Sequence, residues 1–280
     1  GLDEMIVGAT RAEGAATDEG GAFWLEGPVG LDEIASRPEQ FWYGEGQFDR
    51  AGEVIAGGVD WDGDGSLEVL ISAPSNDDAE QYAVRAYLVS LGSGPTSLST
   101  SLLTVSGSEG HDGLGSGLQL GSDYNADGRI EAVFGADGTD ATGGEAGTIY
   151  VFDNLNSGSE PARSADLIVT GDTQDRLSVL PDRPADLDGD GVHDLVIGGS
   201  GITGDATQSG AVLIFDGPLL GNLAAADADR SFGGEGANDS AGISLCMRDL
   251  DGDGRYDLLV GAPENDFAAS NAGAAYLLLG

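Results

Sequence analysis

Four stretches of this 280-residue chain space oxygen-bearing side chains as a hard cation requires. They are Asp60, Asp62, Asp64 and Glu68; Asp123, Asn125, Asp127 and Glu131; Asp186, Asp188, Asp190 and Asp194; and Asp249, Asp251, Asp253 and Asp257. Each set occupies positions 1, 3, 5 and 9 of a nine-residue loop, with glycine at position 6 (Gly65, Gly128, Gly191, Gly254) for the sharp turn. Ca²⁺ takes six to eight oxygens in flexible geometry, so the side chains, one backbone carbonyl and water make a full shell. The carbonyl comes from position 7, which is Ser66, Arg129, Val192 or Arg255. About four Ca²⁺ ions are therefore expected.

Charge makes the same point. The loops hold 15 carboxylates, and two like charges ~4 Å apart repel by roughly 4 kcal/mol at an effective dielectric near 20. Without a cation such loops open or take up protons; a divalent ion reverses the sign of the interaction. Simple Asp-Gly turns would explain one such loop, but not four beginning 63 residues apart, at 60, 123, 186 and 249. The EF-hand also begins with Asp-x-Asp-x-Asp-Gly but requires Glu at position 12 and flanking helices. Position 12 here is Ile71, Phe134, Ile197 or Val260, inside an apolar run, which excludes the EF-hand.

Other chemistry is sparse. His111 and His193, the only histidines, fall in different repeats, so no catalytic pair is expected from them. Carboxylate pairs are uninformative among 49 acidic residues. Trp24, Trp42, Tyr43 and Trp61 offer a sugar-stacking patch, with Trp61 expected to be exposed, although packing explains Trp24 equally well.

The elements that position the loops recur with them. Each loop runs into a short apolar stretch (Val69 to Ile71, Ala132 to Phe134, Leu195 to Ile197, Leu258 to Val260), and Met5 to Val7 repeats the pattern. Such runs bounded by Gly and Asp suit strands covered on both faces. A second strand follows at the same interval, as in Val84 to Leu88 and Gly147 to Val151. One more strand precedes each loop, as in Val54 to Val59, Leu118 to Gly121 and Ile243 to Met247, and an outer one lies upstream, as in Leu102 to Val105 and Leu167 to Thr170. Four strands per ~63 residues, repeated radially, predict an all-β fold, a β-propeller of four-stranded antiparallel blades. A β-solenoid is the structural alternative, but its coils are shorter.

The expected organisation is one domain over residues 1–280. It has a partial blade at 1–50, blades at about 51–106, 107–170 and 171–233, and a partial blade at 234–280. Glu4 aligns with position 9 and is expected to close a fifth loop whose front half is absent from this sequence. Further blades or a partner are expected to complete the ring, because open edges and faces are a liability.

The formal net charge is -38 and all 11 basic residues are arginine. Four divalent ions would bring -38 only to -30, so adaptation to high salt or colloidal solubility accounts for the remaining acidity. A surface this acidic repels phosphate backbones, which excludes nucleic acid as a partner. No apolar run approaches the ~18 residues of a membrane helix, so insertion of this segment in a membrane is not expected. The single cysteine, Cys246, forms no intrachain disulfide and is read as packing.

The Asp-x-Asp-x-Asp-Gly-x-x-Asp loop, the Leu258-Leu-Val-Gly-Ala-Pro263 that follows the fourth copy and the Gly273-Ala-Ala-Tyr-Leu277 strand resemble the FG-GAP repeat family. That family supplies the units of the integrin alpha-chain propeller and of many bacterial surface proteins. The resemblance implies Ca²⁺ in the loops, a ring usually of seven blades, and an extracellular or cell-surface location. Departures exist: the family's Phe-Gly is Ala51-Gly52, Leu114-Gly115 or Leu177-Ser178, and Gly-Ala-Pro becomes Gly-Ala-Asp137 or Gly-Gly-Ser200. No inserted adhesion domain interrupts the repeats. The function expected is a non-enzymatic, calcium-binding scaffold or adhesion module meeting a protein or glycan ligand on a cell surface. The alternative is a polysaccharide-active enzyme or its carbohydrate-binding part.

Overall fold

The computed structural model describes residues 5–13, 17–25, 40–76, 84–92, 96–108, 110–153, 158–204 and 206–280; Glu4 lies outside them. It is all-β, with only three single-turn 3-10 helices among the described residues. The chain divides into two compact units, one of Gly1–Gly115 with Leu155–Ser164 and the other of Ser116–Asn154 with Ala165–Gly280.

In the first unit, β1 (Met5–Gly8), β2 (Gly21–Leu25) and β3 (Gln40–Tyr43) form one antiparallel sheet. A second sheet contains β4 (Ile55–Val59), β5 (Glu68–Ala73) and β6 (Arg85–Ser90). The two-residue β7 (Thr96–Ser97) crosses back to pair in parallel with β3, and β8 (Leu103–Ser106) joins β6. In the other unit, β9 (Leu114–Ser122), β10 (Glu131–Ala136) and β11 (Thr148–Phe152) repeat the plan. Within the first unit, β12 (Gly158–Pro161) pairs in parallel with β8; within the other, β13 (Leu167–Thr170) pairs with β11. The next sheet is β14 (Leu177–Val179), β15 (Leu195–Gly199) and β16 (Ala211–Phe215), with β17 (Leu223–Ala224) lent to β13 and β18 (Arg230–Gly233) at the outer edge. The last sheet has three strands, β19 (Ser244–Arg248), β20 (Asp257–Ala262) and β21 (Ala274–Leu278).

Four of the five sheets each carry one of the loops, which joins the first two strands of its sheet. Two differences from the sequence expectation have physical causes. The short strands β7, β12 and β17 add to the preceding sheet, so two sheets have five strands rather than four. Strand β14 is only three residues long because Pro181 and Pro184 follow it, and proline has no N–H to give a ladder.

The strands after the first three loops are buried on both faces, as their apolar runs require: Glu68–Ala73, Glu131–Ala136 and Leu195–Gly199 are buried at every residue, whereas Leu259 of β20 is exposed. In the first unit Trp42, Val69, Ile71, Tyr87 and Val89 fill the space between its two sheets. In the other unit Val133, Ile149, Val169, Ile197, Leu213 and Phe215 form one core, and Val196, Ile214, Met247, Leu258 and Val260 form a second. Position 12 of each loop is thus a core residue, with Ile71, Phe134 and Ile197 fully buried. No helix among the described residues is long and apolar enough to cross a membrane.

Candidate metal centres

Each loop folds around its own carboxylates. Asp60 Oδ1 accepts from Gly63 N at 2.8 Å and its Oδ2 from Gly65 N at 3.1 Å; Asp62 Oδ1 accepts from Asp64 N and Asp64 Oδ1 from Ser66 N. The same bonds recur at Asp186 and Asp188 with Gly189, Asp190 and Gly191, and at Asp249 and Asp251 with Gly252, Asp253 and Gly254. Glycine is favoured at position 4, where φ is 78° at Gly63, 83° at Gly189 and 81° at Gly252. In the second loop this position is Ala126, at φ 61°, a left-handed conformation that costs a residue with a Cβ roughly 1–2 kcal/mol. Ala126→Gly is expected to raise stability by about 1 kcal/mol after the entropic cost of glycine. A matched pair of denaturant curves measures it; a loss of stability would show that the turn is not strained.

Position 9 closes each loop. Glu68 Oε2 accepts from Trp61 N at 2.8 Å, Glu131 Oε2 from Tyr124 N, Asp194 Oδ2 from Leu187 N at 2.7 Å and Asp257 Oδ2 from Leu250 N at 2.7 Å. These bonds bring together one oxygen each of Asp60, Asp62 and Glu68, all within 4.8 Å of one another. The other groups of this kind are Asp123, Asp127 and Glu131; Asp186, Asp188 and Asp194; and Asp249, Asp251 and Asp257. Asp64, Asp190 and Asp253 stand outside the groups, each holding the position 7 N–H instead. Asn125 does likewise for Asp127 N. The position 7 residues Ser66, Arg129, Val192 and Arg255 are placed by these bonds at the start of the turn into the strand.

The donor set fits a hard divalent ion. Glu68 (0% exposed) and Glu131 (1%) each leave Oε1 buried without a hydrogen bond, and a buried carboxylate oxygen without a partner is costly. Burial pushes the Glu131 carboxyl up to about 7, helped by Asp123, Asp153 and Asp127 and opposed by the N–H of Tyr124. Burial likewise raises Glu68 and Asp194. Asp257 lies below the usual carboxylate range because the N–H groups of Leu250 and Gly280 favour its charged form. At Asp186 the N–H groups of Gly191, Gly189 and Asp190 outweigh desolvation, and its value also falls.

The fourth loop and the strands on either side of it lie in one stretch of sequence. Residues 241–278 match the FG-GAP repeat. The matched stretch contains β19, the fourth loop, β20 and β21. No curated protein sequence gives a match to the chain. The loop bonds of the matched segment recur in the first and third loops and, with Asn125 in place of Asp, in the second.

A second set of acids escaped the sequence reading. Asp49, Asp112, Asp175 and Asp239 are buried in the crossing loops, each accepting backbone N–H groups: Glu45 and Gly46 at Asp49, Ser108 at Asp112, Asp172 at Asp175 and Gly236 at Asp239. Asn76 reaches Asp49 and Asn265 reaches Asp239, and the two amides also reach Tyr87 and Tyr276. Their recurrence 63, 63 and 64 residues apart was readable, but a single Asp without a motif around it carries little signal. Asp239→Ala is expected to cost about 2–3 kcal/mol, since Gly236 N and Asn265 lose a charged acceptor. Urea unfolding with chelator present reads this loss; an unchanged midpoint would place the aspartate outside the folded loop.

The aromatic patch is not assembled. Trp42 is 1% exposed and packs with Ala22 and Trp24 in the core, whereas Tyr43 lies on the opposite face of β3 because side chains alternate. Trp61 is half-buried rather than exposed. Cys246 is half-buried on β19 opposite Leu259. His193 does not face open solvent: its Nδ1 accepts from Asp123 N at 3.4 Å. His111, at φ 68°, belongs to the turn that sets Asp112.

Proposed function

We propose that this chain is a calcium-stabilised segment of an FG-GAP β-propeller, used outside the cell or at its surface as a scaffold or interaction module. The observation that carries the reading is the four-fold gathering of three carboxylates within 4.8 Å at the bend between the first two strands of a sheet. Asp60, Asp62, Glu68, Asp123, Asp127, Glu131, Asp186, Asp188, Asp194, Asp249, Asp251 and Asp257 would hold the ions, with position 7 carbonyls and position 5 oxygens completing the shell. A bound ion would neutralise the crowded charge and tie position 9, the residue at the start of a core strand, to the turn before it.

The sheets are then blades of one propeller over residues 1–280. Cys246, Leu259 and Leu277 lie in register across the last sheet, with Leu259 and Leu277 exposed. A further blade or a partner that completes the ring would cover this row. The ligand is a protein or glycan met through loop surfaces, with the strands serving as support.

Extracellular modules of this type bind Ca²⁺ at about 10⁻⁴ to 10⁻³ M, and an ion at a hundredfold excess over its Kd adds about 2.7 kcal/mol. Thermal unfolding in millimolar Ca²⁺, in matched NaCl and with chelator tests the reading. Stabilisation specific to Ca²⁺ is expected. Equal stabilisation by NaCl would support brine adaptation instead, and turnover of a polysaccharide in an activity screen would overturn the non-enzymatic reading.

A further inference from the structure

The four loops share a backbone plan but not an electrostatic surrounding, and the difference arises in residues facing position 9 from the next strand. Glu68 pairs in register with Ser90. Continuing the registers of Ala132 with Phe152, Leu195 with Phe215 and Leu258 with Leu278 places Asp153 opposite Glu131, Asp216 opposite Asp194 and Leu279 opposite Asp257. Two loops therefore face an extra acid.

At the third loop that acid is compensated. Arg230, the first residue of β18, lies in register with Ile214, and its Nη2 donates to Asp216 Oδ1 and lies 3.5 Å from Asp194 Oδ2. At the second loop the same register position, opposite Val151, is Leu167. Asp153 Oδ1 and Glu131 Oε1 are both buried there without a hydrogen bond. They line a cavity of about 170 Å³ with Asn125, Asp166 and Leu219. The exposed Arg129 is a basic side chain that acts on Asp153. Glu131, 1% exposed and unpartnered at one oxygen, is the group that a cation in this cavity would satisfy.

Building on the calcium reading, we propose that Arg230 is a resident counter-cation that weakens divalent-ion binding at the third loop, whereas Asp153, opposite Glu131, supplies the carboxylate that Asn125 withholds and makes the second loop a stronger site than the third. A fixed guanidinium beside Asp194 repels an incoming Ca²⁺ and already supplies part of the charge neutralisation that the ion would bring. The absence of that charge at Leu167 leaves Asp153 uncompensated and acts in the opposite direction at the second loop.

Hydrogen exchange read by mass spectrometry on the full chain, at increasing Ca²⁺, follows peptides covering 123–131 and 186–194 separately. In the unmodified protein the second loop is expected to become protected at a Ca²⁺ concentration about tenfold lower than the third. Arg230→Leu is expected to lower the midpoint of the third loop about tenfold and leave the second in place, and Asp153→Asn to raise the midpoint of the second. Equal midpoints in the unmodified protein, or an unmoved third loop in the Arg230 variant, would overturn the inference and leave the calcium reading standing. Protection of neither loop at any Ca²⁺ concentration would overturn both. The comparison within the unmodified protein decides the matter even where a variant fails to fold.

Discussion

Held in chelator, the protein is expected to lose stability as pH rises from about 4.5 to about 7, and calcium is expected to reverse that trend. The sign follows from proton binding. Glu131 has its folded-state value raised to about 7, so across this window the folded state keeps a proton that the unfolded state has released, and stability falls with pH. A shift of this size corresponds to roughly 3 kcal/mol, to which the raised Glu68, Asp153 and Asp194 add in the same direction. Asp186 and Asp257, whose values are lowered, act in the opposite sense but only in the acid range, where their contribution is lost as pH falls through their folded values. Ca²⁺ binds the ionised form, so its contribution grows with pH. Urea midpoints at pH 5 and pH 7.5, with chelator and with millimolar Ca²⁺, read both slopes. A chelated protein that is more stable at pH 7.5 than at pH 5 would show that Glu131 is not held in a buried, uncompensated state.

Asp194→Ala is expected to destabilise the chelated protein by about 3–5 kcal/mol, and Asp188→Ala by less than about 1 kcal/mol. The two carboxylates belong to one loop and differ in what depends on them. Asp194 is buried and accepts from Leu187 N at 2.7 Å and Gly217 N at 3.1 Å, with Arg230 3.5 Å away. Removing it leaves two N–H groups and part of a guanidinium without an acceptor. Asp188 is exposed and accepts only the N–H of Asp190. With Ca²⁺ present, both variants are expected to lose the contribution of the ion at that loop, so the cost of Asp188→Ala rises by about 2–3 kcal/mol at a hundredfold excess over Kd. Similar costs for the two substitutions in chelator would mean that position 9 is not the closure point of the loop.

The loops were legible in the sequence because the backbone demands and the chemical demands fall on the same few residues. Glycine must stand where the turn takes positive φ, and oxygen side chains must stand where N–H groups and a cation converge, so Asp60 to Glu68 and its three copies declare themselves. The apolar runs behind them were equally plain, since a strand such as Val69 to Ile71 buried on both faces tolerates no polar alternation. Other features left no such trace. Thr96–Ser97 and Gly158–Pro161 pair with β3 and β8 through backbone groups alone, and backbone pairing imposes no side-chain pattern. The buried Asp112 looks like any loop aspartate until its contacts with Ser108 and Leu114 are seen. Arg230 and Asp153 acquire meaning only through cross-strand register, which a linear repeat does not display. Trp42 was misread as a surface candidate because alternation in β3 sends it, and not Tyr43, into the core.

Counting bound ions tests the central claim most directly. Equilibrium dialysis of the intact chain against 5–10 mM Ca²⁺ at about pH 7.5, a concentration chosen to exceed the ~10⁻⁴ to 10⁻³ M affinities of such modules, followed by elemental analysis, is expected to give about four calcium ions per chain. Substituting asparagine for Asp60, Asp123, Asp186 or Asp249 is expected to remove about one ion each. A chain that retains no calcium beyond what a similarly acidic, loop-free protein holds would contradict the account.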